Sequence, residues 1–159
     1  MVNTRNGSYD PENPTAIRED NKIDERIKRC LNDRDRRHEI SYFLRSPTEE
    51  DRKKRALEYE NDNGWTAILR AIHLGVEVEE VKLILKFTDD ITTCKTQPYE
   101  ENVLHMAAYL NSSIEIFKCL VRKGGAEMIK EKDSLGNTPF HYACAWNNEF
   151  KVIEYLVEK

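Results

Sequence analysis

A constant period of 36 residues constrains this chain more than any other feature. Thr66-Ala67-Ile68-Leu69-Arg70-Ala71, Asn102-Val103-Leu104-His105-Met106-Ala107 and Thr138-Pro139-Phe140-His141-Tyr142-Ala143 align without gaps, each 36 residues after the last. The register survives through the next apolar stretch. Val81, Phe117 and Ile153 share one column, Ile84, Leu120 and Leu156 a second, and Leu85, Val121 and Val157 a third. A fixed period of this length marks a repeat architecture. A unit so small cannot close its own core, and stacking such units buries a continuous one.

Each unit reads as a pair of helices. Ile68, Ala71 and Ile72 make the apolar stripe of a first helix, and Val81, Ile84 and Leu85 that of a second. Gly75, Asn111 and Asn147 fall between the stripes, where a residue in the left-handed conformation would end the first helix. Small side chains at Ala71, Ala107, Ala108, Ala143 and Cys144 allow close approach of neighbouring helices.

These residues carry a family resemblance. Thr138-Pro139-Phe140-His141-Tyr142-Ala143 resembles the ankyrin signature Thr-Pro-Leu-His-x-Ala, and Asp133-Ser134-Leu135-Gly136 resembles the turn before it. The second unit keeps Leu104, His105 and Ala107 but has Asn102-Val103 for Thr-Pro. The first keeps Gly64, Thr66 and Ala71 but has Ala67 for Pro and Leu69 for His. The resemblance covers residues 61–159. It implies an all-α stack of three helix-turn-helix repeats, at about 61–96, 97–132 and 133–159, joined by hairpin-like loops.

Ahead of the repeats, residues 1–20 are polar, contain Pro11 and Pro14, and read as a disordered leader. Residues 21–60 read as a helical N-terminal cap. Ile23, Ile27, Cys30 and Leu31 follow helical spacing, and Ile40, Phe43 and Leu44 suggest a second short helix. Pro47 breaks it, and Thr48 can cap another that buries at most Ala56, Leu57 and Tyr59.

Charge and cysteine usage narrow the function. The net charge is −4, and all of it lies in residues 61–159, with 11 basic and 15 acidic side chains; this argues against a general nucleic-acid binder. No apolar run approaches a membrane span, and Met1 to Asn21 lack a secretory h-region. Cys30, Cys94, Cys119 and Cys144 form no C-x-x-C pair, so reduced thiols and a cytoplasmic location are expected. Cys119 and Cys144 fall in helix columns and are expected to be buried, with Cys94 accessible. Arg36-Arg37 and Arg52-Lys53-Lys54-Arg55 could form a bipartite nuclear signal. Interleaved acidic residues favour a solvated helical face instead.

No catalytic, cofactor-binding or metal-binding residue is expected. His105 and His141 recur once per unit and are the most tempting ligands. The resemblance implies that this histidine bonds loop backbone and ties units together, a bond that Leu69 cannot make. Ser112 and Ser113 read as turn residues, and Gly124-Gly125 as a helix stop.

The expected function is non-catalytic protein–protein recognition, with no small-molecule substrate. The alternatives are a targeting arm of a larger enzyme or adaptor, and nucleic-acid association through the basic 26–55 segment. The resemblance implies a concave binding face built from loop tips and the exposed side of each first helix. The tips are Trp65, Tyr99 and Leu135. The helix positions are His73, Leu74, Tyr109, Leu110, Ala145 and Trp146, of which all but Ala145 join the tips as candidate partner contacts. Tryptophan and tyrosine carry binding energy most often. Phe150, Ile153, Leu156 and Val157 are expected on an edge without a stacked unit, covered by a partner if the chain is not a truncated product.

Overall fold

The computed structural model describes residues 27–33, 44, 45, 50, 53, 57, 64–110 and 112–159. Residues 1–20, and so the expected leader, lie outside the described residues. So do Ile23, Ile40, Phe43, Pro47, Thr48, Ala56, Tyr59, Arg36, Arg37 and Asn111. Among the described residues the repeat region holds six α-helices and no strand: α1 (Ala67–Leu74), α2 (Val78–Phe87), α3 (Val103–Tyr109), α4 (Ile114–Gly124), α5 (Pro139–Trp146) and α6 (Phe150–Val157). A 3-10 turn at Ala126–Ile129 follows α4. The first helices α1, α3 and α5 begin 36 residues apart, and so do the second helices α2, α4 and α6.

The period sets the packing. α1 packs on α3 and α3 on α5, forming one layer; α2 packs on α4 and α4 on α6, forming the other. Ile68, Ala71, Ile72, Val81 and Ile84 are sealed between them, as are Leu104, Ala107, Phe117 and Leu120. Fully burying one such aliphatic side chain stabilises the fold by about 1.5–3 kcal/mol.

Turn chemistry separates the units. Gly75 ends α1 with φ 65°, ψ 47°, and its N–H bonds back into the last turn. Asn147 does something different from the expected left-handed stop. It is extended, at φ −88°, ψ 123°. Its side-chain amide donates to the Ala108 and Ser112 carbonyls of the preceding unit, and its Oδ1 accepts from Glu149 N. Asn147 therefore staples two units together. Gly124 and Gly125 stop α4 as expected, and a Cβ on Gly124 would collide with Met128 and Ile91.

The inter-unit loops are hairpin-like. Lys95 and Asn102 form an isolated antiparallel bridge, closed by Thr96 N to Glu101 O at 2.9 Å. Ser134 N donates to Tyr99 O at 2.9 Å, so one loop is bonded to the next.

Part of the 21–60 segment joins the same core. Residues 27–32 are helical, with Ile27, Cys30 and Leu31 buried. The Arg70 guanidinium on α1 donates to Leu31 O at 3.0 Å and reaches Asn32 O at 3.5 Å, satisfying carbonyls at that helix's end. Leu44 and Leu57 are buried too. Lys53 departs from the solvated face expected for the basic run. It is 4% exposed, its ammonium donates to Leu44 O at 2.8 Å, and it sits 5.4 Å from the Phe87 ring centre.

The thiols reverse the expected order. Cys94 is buried and Cys144 exposed, with Cys119 between. The column of Cys144 is sealed at Ile72 and Ala108 because a following unit covers it there. Cys94 is buried because its loop folds inward beside Ile91, with its Sγ 3.7 Å from Asp90 O. The terminal edge follows the expectation in part. Phe150 and Val157 are 68% and 67% exposed and Ile153 is half-buried, but Leu156 points inward and is buried.

Candidate functional site

The repeat histidine organises the loops. His105 is fully buried on α3. Its Nδ1 accepts from Asn102 N at 3.1 Å, and the Asn102 side chain accepts from Leu104 N and His105 N, completing a capping box. Its Nε2 lies 3.0 Å from Asn137 O of the next unit and donates to it. Burial, countered by that bond, holds the imidazole below the ordinary histidine range, so it is neutral at pH 7. Both ring nitrogens are used in holding structure, which leaves no lone pair for a metal. Among the described residues no three His, Cys, Asp or Glu side chains gather where they could hold an ion. In the first unit Leu69 replaces the histidine, and the buried Thr66 hydroxyl has no hydrogen-bond partner among the described residues.

A carboxylate network extends from there. Asp133 Oδ1 accepts from Leu135 N and Asn137 N, and its Oδ2 accepts from Asn137 Nδ2 and the Tyr142 hydroxyl. Burial pushes this carboxyl up, but its donors outweigh that and hold it below the ordinary range. The Tyr142 hydroxyl also lies 2.8 Å from Glu101 Oε1. Burial, then the two carboxylates, push the phenol well above its ordinary range, so it stays a donor.

Beside this network runs a groove of about 500 Å³, lined by α1, α3, α5 and the residues just ahead of them. Its walls are the repeat columns themselves. Trp65, Glu101 and Asn137 form one column; His73, Tyr109 and Ala145 a second; Leu110 and Trp146 belong to a third; Met106 and Tyr142 to a fourth. Tyr109 and Trp146 meet edge-to-face with centres 5.6 Å apart, as do Trp65 and His73 at 5.0 Å. The aromatic surface is open: Tyr109 is 53% and Trp146 58% exposed.

Of the eight candidate contacts, the structure brings five together in this groove: Trp65, His73, Tyr109, Leu110 and Trp146. Leu74 is not available. It is 4% exposed, although Leu110 and Trp146 in the same column are half-buried and exposed. Tyr99 and Leu135 are exposed loop tips outside the groove lining. Sequence reasoning missed Glu101, Met106, Asn137, His141 and Tyr142 as lining residues. The signal was present, since Glu101 lies 36 residues after Trp65 and Tyr142 lies 36 after Met106.

No helix among the described residues is long and apolar enough to cross a membrane. A search of curated proteins gives no match. The family model for ankyrin repeats (3 copies) matches residues 81–159. α1 lies ahead of that match, yet it keeps the 36-residue spacing. Through residues 81–159 the chain belongs to the ankyrin repeat family.

Proposed function

We propose that this chain is a non-catalytic recognition module that lays a protein segment across the groove on its first helices. Ankyrin repeats generally act as protein–protein interaction modules. The observation that supports a specific site is the run of open aromatic surface, Tyr109 with Trp146 and Trp65 with His73, along columns shared by successive units. Rigid aromatic side chains bury large areas at low entropic cost. A segment crossing the groove meets residues of the same columns in successive units, aromatic at Trp65, Tyr109 and Trp146. The neutral, fully bonded His105 and the Asp133 carboxylate bond Asn137 and Tyr142, two residues of the groove wall, and offer no nucleophile–base pair.

The test is differential affinity capture. The full chain and its Tyr109→Ala/Trp146→Ala variant are used as bait in parallel, with melting curves to establish that both are folded. A protein retained by the first and lost by the second supports the reading. Equal retention of every captured protein by both baits counts against it. Each single substitution is expected to weaken the partner by about 1–3 kcal/mol. The same reading places the chain in an aqueous compartment, cytoplasmic or nuclear, and fractionation of tagged protein tests that.

A further inference from the structure

We infer that the groove takes a lysine or arginine side chain of its partner, with the cationic head at Glu101 and the flanking partner surface on Tyr109 and Trp146. This rests on the groove reading above and goes further by naming the chemistry of the occupant.

The two carboxylates beside Tyr142 differ in how fully their acceptors are used. An ionised carboxylate offers about four lone-pair positions. Asp133 has four donors around it. Glu101 has far fewer. Its Oε2 accepts from Thr96 Oγ1 at 2.9 Å, and its Oε1 has only the Tyr142 hydroxyl at 2.8 Å. That hydroxyl carries one hydrogen, and Asp133 Oδ2 competes for it at the same distance. Glu101 is half-buried on the groove wall, and among the described residues no lysine or arginine lines that groove. The nearby Lys95 ammonium is paired with Glu131 instead, at 3.3 Å. A negative charge with unfilled acceptors therefore faces the space a partner would enter.

The walls select among donors. A charged donor to a carboxylate bonds roughly twice as strongly as a neutral one. Open aromatic faces attract the same cation. Calcium and magnesium need about six oxygen ligands, and among the described residues no three His, Cys, Asp or Glu side chains gather where they could hold any metal ion. A polyanion would meet Glu101 and the acidic excess of residues 61–159, which carry 15 acidic and 11 basic side chains. A basic residue set in an apolar or aromatic protein segment fits both features.

A random 12-residue peptide display library tests this on the full chain, with the Tyr109→Ala/Trp146→Ala variant selected in parallel. Peptides that bind only the unmodified chain are groove binders. Each is expected to hold a lysine or arginine whose replacement by glutamine weakens binding about tenfold, or about 1.4 kcal/mol. Against Glu101→Gln, which keeps an acceptor for Thr96, the same replacement is expected to cost little. Salt is expected to weaken the basic peptide more than its glutamine form, a measurement that needs no variant of the chain. Groove binders without a basic residue, or a penalty that is the same on Glu101→Gln, would overturn the inference while leaving the groove intact. Absence of any groove-dependent peptide would overturn the groove reading and this inference with it.

Discussion

The middle and last units share a sequence pattern and differ in what covers them. Leu104, His105 and Ala108 in the middle unit are fully buried. One period later Phe140 is half-buried, and His141 and Cys144 are exposed. His105 Nδ1 and His141 Nδ1 make the same capping bond, at 3.1 Å each. Only His105 goes on to bond a following loop, through Asn137 O. A column's burial is thus a property of the neighbour as much as of the residue, as expected for a quasi-one-dimensional stack.

The largest effect that can break this comparison is a core truncation. Phe117→Ala on α4 is expected to cost about 3–5 kcal/mol in chemical denaturation. Ile153→Ala, one period on and half-buried, is expected to cost about 1–2 kcal/mol, below the range for sealed positions. Equal losses would mean that the last unit is as well covered as the middle one.

The histidine pair is next. His105→Ala leaves Asn102 N and Asn137 O without their partner and is expected to cost about 2–3 kcal/mol. His141→Ala gives up only a cap and is expected to cost about 1 kcal/mol or less. Similar costs would remove the inter-unit bond from the explanation.

pH sharpens the same contrast. The folded chain holds His105 neutral, while the unfolded chain protonates it near pH 6.5. As pH falls below about 6.5 the unfolded state gains a proton first. Stability then drops, by at most about 1.36 kcal/mol per pH unit, until the native imidazole also protonates at lower pH. Denaturation of His105→Gln is expected to lose this slope. A slope left unchanged would place its origin elsewhere.

Thiol labelling measures the comparison without altering it. Alkylation of the native chain is expected at Cys144 first, then Cys119, with Cys94 and Cys30 slowest. Fast labelling of Cys94 would mean that its loop does not fold against Ile91.

These contrasts separate what was legible in the sequence from what was not. Period and apolar stripes gave the helix pairs, because side chains such as Ile68 and Val81 point the same way in every unit. Tyr109 and Trp146 were among the candidates because the ankyrin resemblance implies a binding face on the exposed side of each first helix. The sequence misplaced Leu74, because the column runs from buried Leu74 through half-buried Leu110 to exposed Trp146, and register alone carries no sign of that gradient. It misplaced Cys94 and Cys144, because loop burial has no periodic signal and column burial depends on a neighbour. It passed over Glu101, whose importance lies in a hydroxyl proton shared with Asp133 across two units.

The groove is tested most directly by hydrogen exchange on the complex with a partner recovered by differential capture. Partner binding is expected to slow exchange at residues 65–74, 101–110 and 137–146 and leave the outer helices α2 and α4 unchanged. Protection confined to α2, α4 and the residues between them would contradict a groove-bound partner and move the site to the opposite face.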